Sequence, residues 1–204
     1  MKNTLTAGTP IAEAKKALIM IHGRGAEAQD ILSLSRHLNV DGCALLAPQA
    51  NGNSWYPLSF LAVPQDNEPY LSASLAAIAE VVAEAEAAGI TRDNIYFLGF
   101  SQGACLATEF AARNAARYGG VAAFTGGLIG DHIYTENYKG NFSGTPVFIG
   151  TSNPDFHVPV QRVLDTEQVL KSMGANVTVK VYDNMPHTIV QDEIDLANEL
   201  VFNQ

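Results

Sequence analysis

Residues 95–112 pass from a strand to a helix with almost no connection between them. Ile95-Tyr96-Phe97-Leu98 is a short apolar run of strand type, and Ala104-Cys105-Leu106-Ala107-Thr108-Glu109-Phe110-Ala111-Ala112 reads as a helix rich in small residues. Gly99-Phe100-Ser101-Gln102-Gly103 joins the two. A turn this sharp forces its central residue into a strained backbone conformation, and it brings neighbouring chain so close that a Cβ would clash. Glycine two residues to either side of Ser101 meets that demand. The serine hydroxyl is then held proud of the sheet, at the mouth of a helix.

The same alternation of short apolar runs with helical patterns extends through the chain. It is the pattern of an α/β protein, a mostly parallel sheet with helices on both faces. Strands are predicted at 17–21, 43–47, 95–100, 120–124, 146–150 and 177–182, and residues 4–6 allow a short edge strand. Val177, Val179 and Val181 alternate with Thr178, Lys180 and Tyr182, so the last strand has one wetter face. Helical spacing predicts helices over 28–38, 70–88, 160–173 and 190–201, besides the one after Ser101. Two connections are long. Residues 48–69 are polar and aromatic, with Trp55, Tyr56, Phe60 and Leu61, and loops of that size are usually functional. Residues 125–145 are too few to form a separate lid domain.

With 204 residues, 47% of them hydrophobic, and no linker-like stretch or internal repeat, one compact domain spanning 1–204 is expected. Twelve Lys and Arg against 21 Asp and Glu give a net charge of −9, which argues against nucleic acid as a partner. The first residues lack the apolar run of a signal peptide, and no segment approaches the ~18 apolar residues of a membrane span, so stable membrane insertion is not expected. Cys43 and Cys105 fall in a strand and a helix. They form no metal pattern and read as buried free thiols of a cytoplasmic protein.

A serine hydroxyl is a poor nucleophile near neutral pH and needs a base, which in turn needs an orienting acid. Such groups gather beyond the carboxyl ends of strands in open α/β sheets. His187, just past the 177–182 strand, fits the base; His22, His37, His132 and His157 are placed less well. Asp155, just past the 146–150 strand, fits the acid, with Asp183 and Asp131 as the alternatives. His22-Gly23-Arg24-Gly25 follows the 17–21 strand, where a loop can supply one main-chain N–H to an oxyanion. The predicted donors are the N–H groups of Arg24 and Gln102. Trp55, Tyr56 and Phe60 are the candidate walls of a substrate pocket.

Leu18-Ile19-Met20-Ile21-His22-Gly23-Arg24-Gly25, Gly99-Phe100-Ser101-Gln102-Gly103-Ala104, Asp155-Phe156-His157-Val158-Pro159 and His187, in that order, resemble the phospholipase/carboxylesterase family of α/β-hydrolases. The resemblance spans nearly the whole chain. It implies an α/β-hydrolase sheet of six or seven strands without a cap domain, and a serine esterase that works on a small-molecule ester. It further implies an acyl-serine intermediate, no cofactor or metal, and frequent homodimers. Thioesterase or lysophospholipase activity on the same residues is the alternative, and a non-catalytic binding protein on the same fold is a more distant one. Arg24 stands where the thioesterases of the family tend to have leucine.

Overall fold

In the computed structural model, which describes residues 3–203, seven strands form one sheet in the order β1-β3-β2-β4-β5-β6-β7. They are β1 (Thr4–Gly8), β2 (Lys16–Ile21), β3 (Cys43–Pro48), β4 (Ile95–Phe100), β5 (Gly120–Phe124), β6 (Pro146–Asn153) and β7 (Asn176–Asp183). Only β1 runs antiparallel, along β3 at one edge; every other neighbouring pair is parallel. This is the predicted sheet, with the edge strand and β6 longer than the apolar runs alone suggest.

The central strands are buried on both faces, so their side chains alternate between two cores. Ile19, Ile21, Phe97, Val121 and Ile149 point to one core, and Leu18, Met20, Leu98, Phe124 and Phe148 to the other. Three helices cover the first face: α2 (Tyr70–Ala87), α3 (Gln102–Arg113) and α4 (Val160–Ser172). Two cover the second: α1 (Ala28–Ser33) and α5 (Gln191–Ala197). The second strand face is sealed by Ile31 and Leu32 of α1 and by Ile194 and Ala197 of α5. At the β7 edge Val177 is buried, whereas Thr178, Lys180 and Val181 are exposed, as the wetter edge requires.

Two helices differ from expectation. Helix α1 stops at Ser33 and tightens into a 3-10 turn over Leu34–His37, rather than continuing to 38. Ser33 Oγ donates to the Asp30 carbonyl at 2.6 Å, and a serine that competes for backbone carbonyls weakens a helix end. Helix α5 stops at Ala197 and widens into a π-turn over Asn198–Phe202. There the Asn198 side chain is drawn to another segment, donating to the His37 carbonyl and accepting from the Asn39 N–H.

Among the described residues no helix is long and apolar enough to cross a membrane.

Candidate active site

Ser101 stands between β4 and α3 with φ 53° and ψ −118°, a conformation that L residues rarely adopt. The surrounding chain leaves it no alternative. A Cβ on Gly99 would collide with the carbonyl of Gly103, and a Cβ on Gly103 would collide with the carbonyl of Ile21 at the end of β2. The turn is tied to the next strand by the Ser101 N–H, which donates to the Phe124 carbonyl at 2.9 Å.

Beyond the carboxyl ends of the strands, three side chains from distant parts of the chain meet. Ser101 Oγ donates to His187 Nε2 at 2.9 Å, and His187 Nδ1 donates to Asp155 Oδ2 at 2.7 Å. The other oxygen, Asp155 Oδ1, accepts the main-chain N–H groups of His157 and Val158 at 2.7 and 2.9 Å. Burial pushes the Asp155 carboxyl up, but the bonds from His187 and from these two N–H groups outweigh it and hold the group below the usual carboxylate range. Its side chain is 1% exposed, against 24% for His187. The imidazole is further flanked by the rings of Phe100 and His157, at 5.2 and 4.9 Å between centroids. Asp131 pairs instead with its neighbours His132 and Tyr134, and Asp183 makes no contact with His187 among the described hydrogen bonds.

Arg24 and Gln102 both line the cavity in front of Ser101. Among the described residues the main-chain N–H of neither has an acceptor. Two unpaired N–H groups beside a nucleophile suit the negative oxygen of a tetrahedral intermediate. Their side chains do separate work. Gln102 Oε1 accepts the Trp55 N–H at 3.0 Å and its Nε2 donates to the Tyr56 carbonyl at 2.8 Å. Arg24 Nη1 donates to Ser54 Oγ and the Pro57 carbonyl, at 3.0 and 2.9 Å, and Nη2 to the Leu58 carbonyl at 2.6 Å. The two residues that offer N–H groups to the cavity therefore also fix the segment that walls it.

That wall is a cavity of about 580 Å3, lined on its apolar side by Tyr56, Pro57, Leu58, Phe60, Phe100 and Val158. The Cys105 thiol lies at its edge, and burial pushes its pKa up to about 12, so it is an inert neighbour rather than a second nucleophile. Tyr56 and Phe60 are among the residues that line this cavity, whereas the expectation that Trp55 is one of its walls is not met. Trp55 does not line the cavity. Its indole is turned into the core, where Nε1 donates to the His22 carbonyl at 2.9 Å, and its own carbonyl accepts from Ser74 Oγ at 2.6 Å. An indole that finds a buried acceptor stays with it, and the tryptophan pins the loop instead of facing substrate. Leu61 is likewise packed against the core.

His22, next to the elbow, is fully buried and held neutral. Burial lowers its pKa, Nε2 accepts the Ala50 N–H at 3.1 Å, and Nδ1 donates to the Gly23 carbonyl at 2.8 Å. Sequence reasoning missed a second layer behind the site. Glu109 of α3, with no exposure, accepts from Arg113, Tyr138 and the Ile129 N–H. Arg162 of α4 donates to the carbonyls of Leu128, Gly130 and Asp131. Together they order the start of the 125–145 connection. A charged residue spaced among apolar ones in a helix was the available signal. Among the described residues no group of three or more His, Cys, Asp or Glu side chains could hold a metal ion.

A profile of the phospholipase/carboxylesterase family matches residues 4–201. The chain belongs to that family. It is an α/β-hydrolase of the carboxylesterase type, in keeping with the resemblance read from its motifs. The crystal structure of a phospholipase/carboxylesterase from Dyadobacter fermentans is 54% identical, with a TM-score of 0.97 over 98% of this chain and 95% of that one. Acyl-protein thioesterase 1 of Saccharomyces cerevisiae is 31% identical over 165 residues, covering 79% of this chain and 71% of that one. The carboxylesterase of Bacillus cereus shares the fold, with a TM-score of 0.77 at 21% identity over 96% of this chain and 91% of that one.

Proposed function

We propose that this protein hydrolyses carboxylic esters of small or medium acyl groups through an acyl intermediate on Ser101. The observation that carries the reading is the unbroken relay from Ser101 Oγ through His187 to the Asp155 carboxylate, at 2.9 and 2.7 Å. Ser101 Oγ attacks the ester carbonyl carbon while its proton passes to His187 Nε2. The carbonyl oxygen becomes negative and meets the N–H groups of Arg24 and Gln102; one such donor is worth about 3 kcal/mol in comparable sites. Asp155 keeps the proton on His187 Nδ1, so that Nε2 is the basic nitrogen, and stabilises the imidazolium. The bond to the alcohol oxygen then breaks, and the alcohol leaves with the proton from Nε2. Water repeats the same steps on the acyl-serine and releases the acid.

The apolar wall of Tyr56, Leu58, Phe60 and Val158 supports a short or medium acyl chain. Two buried free thiols, Cys43 and Cys105, support a cytoplasmic setting, where thiols stay reduced. Likeness to a yeast acyl-protein thioesterase favours one second reading, cleavage of thioesters by the same steps with a thiol as leaving group.

A fluorophosphonate should label the wild-type protein on Ser101 and leave Ser101→Ala untouched. Absence of labelling would overturn the hydrolase reading. Turnover of short p-nitrophenyl esters, acyl thioesters and lysophospholipids, compared by kcat/KM, decides between ester and thioester.

A further inference from the structure

We propose that Arg24 makes this enzyme selective for esters whose acyl part carries a carboxylate, an inference that rests on the esterase reading above. The cavity in front of Ser101 is lined by no aspartate or glutamate, although the chain carries a net charge of −9. Its basic lining side chains are Arg24, His157 and His187. The Asp155 carboxylate, behind His187, is enclosed and bonded on both oxygens. The one permanent charge among the lining side chains is thus positive, opposite in sign to the net charge of the molecule.

Arg24 is the fixed charge in that lining. Its three hydrogen bonds go to Ser54 Oγ and to the carbonyls of Pro57 and Leu58, all neutral acceptors, and among the described residues it forms no ion pair. These bonds orient the guanidinium without neutralising it. A guanidinium has five N–H donors. Three are engaged, which leaves the Nε–H and one Nη2–H, the kind of donor pair that a carboxylate accepts side by side. The position is also right for the acyl side. The guanidinium is tied to Pro57 and Leu58, which belong to the apolar wall, and the same residue carries the main-chain N–H assigned above to the ester oxygen. Carbonyl and carboxylate of one substrate would then lie within one arginine side chain of each other, the spacing of a short dicarboxylic half-ester. Preorganisation by the loop lowers the entropy lost on binding.

The test compares monoethyl succinate, glutarate and adipate with the neutral ethyl esters of equal acyl length, ethyl butyrate, valerate and hexanoate. The wild-type protein should favour the best half-ester over its neutral match by about tenfold in kcat/KM, the worth of a charge-assisted hydrogen bond. That preference should shrink as salt is raised. In Arg24→Gln, which keeps an N–H donor for the loop carbonyls but carries no charge, the ratio should fall towards one. The ratio is the readout because any disturbance of the oxyanion donors would slow both esters alike. Arg24→Lys should recover part of the ratio. Equal rates for the two ester classes in the wild type, or a ratio unchanged in Arg24→Gln, would overturn the proposal. Calorimetric binding to Ser101→Ala separates it from the hydrolase reading: tighter binding of the half-ester supports the Arg24 assignment even if no ester is turned over, and equal binding defeats it. Loss of phosphonate labelling would instead defeat the hydrolase reading.

Discussion

The elbow at Ser101 and the 48–69 segment meet at one cavity, yet they are held in opposite ways. The elbow is shaped by its own backbone: Gly99 and Gly103 let three stretches of main chain approach within a distance that no Cβ would permit. The 48–69 segment has no such local logic. Its shape comes from side chains elsewhere in the sequence, namely Arg24, Gln102 and Ser74 together with the His22 carbonyl, and from the buried Asn67, which binds Leu58 and Ser59 within it. The placement of the nucleophile is therefore written in a few consecutive residues, and pocket shape is written across the whole chain. Relatives can alter the second without touching the first.

The largest effects should come from the relay, where the contrast is sharpest. Ser101→Ala and His187→Ala should each lower kcat by roughly 10⁴–10⁶-fold, and the double variant should be little worse, because the residues act as one unit. Asp155→Asn should cost up to about 10⁴-fold by favouring the wrong imidazole tautomer. Asp183→Asn should leave kcat near that of the wild type. The reverse outcome for the two aspartates would show that Asp155 is not the orienting acid.

Next come two substitutions that separate loop from elbow. Trp55→Ala removes a buried indole that anchors the loop and should destabilise the fold by about 3–5 kcal/mol. The preference among acyl lengths should stay as it is, because Trp55 does not line the cavity. Phe60→Ala, which does open the cavity, should shift that preference towards longer chains. A shifted length profile in Trp55→Ala would break the distinction between anchor and wall. Gly103→Ala forces a Cβ into the Ile21 carbonyl, which belongs to backbone and cannot swing aside. A loss of about 3 kcal/mol is expected, or a melting temperature roughly 6–12 °C lower. An unchanged melting temperature would mean that the elbow is looser than its close contacts imply.

These two modes of construction explain what could be read from sequence. The sheet and its parallel sense follow from alternation, Ser101 from the glycine spacing, and Asp155 and His187 from their places just past two strands, all of them local signals. The edge strand, too, was within reach, as an alternating run of threonine and leucine. The orientation of Trp55 was not, since nothing near it in sequence reveals that the His22 carbonyl is waiting 2.9 Å from its indole nitrogen. Glu109 and Arg162 were hidden for the same reason: each looks like a solvated helical charge until the 125–145 connection folds over it. The ends of α1 and α5 depended on Ser33 and Asn198 finding partners that helical periodicity does not register.

The smallest expected effect tests whether the segment carrying His187 is built like the loop or like the elbow. Val190 closes that segment, and its N–H donates to Glu193 Oε2 at 3.0 Å, while Glu193 is fully buried against Gly150, whose missing Cβ leaves the carboxyl its space. Burial raises the Glu193 pKa from 4.5 to about 7; the Val190 N–H opposes the shift and the Asp192 charge adds to it. The folded state therefore holds this proton more tightly than the unfolded chain does. Stability from this group is complete below the ordinary value of 4.5 and is lost as pH rises through about 7. The loss is on the order of 2–3 kcal/mol. Glu193→Gln keeps an oxygen for the Val190 N–H and never ionises. It should match the wild type in denaturant titrations near the ordinary carboxyl pKa, and exceed it in stability by that margin on the alkaline side of neutrality. A stability difference that stays constant with pH would show that Glu193 titrates in the folded protein as it does in the unfolded chain, with no shift from burial. The His187 segment would then owe its placement to main-chain packing, as the elbow does, and not to a buried side chain.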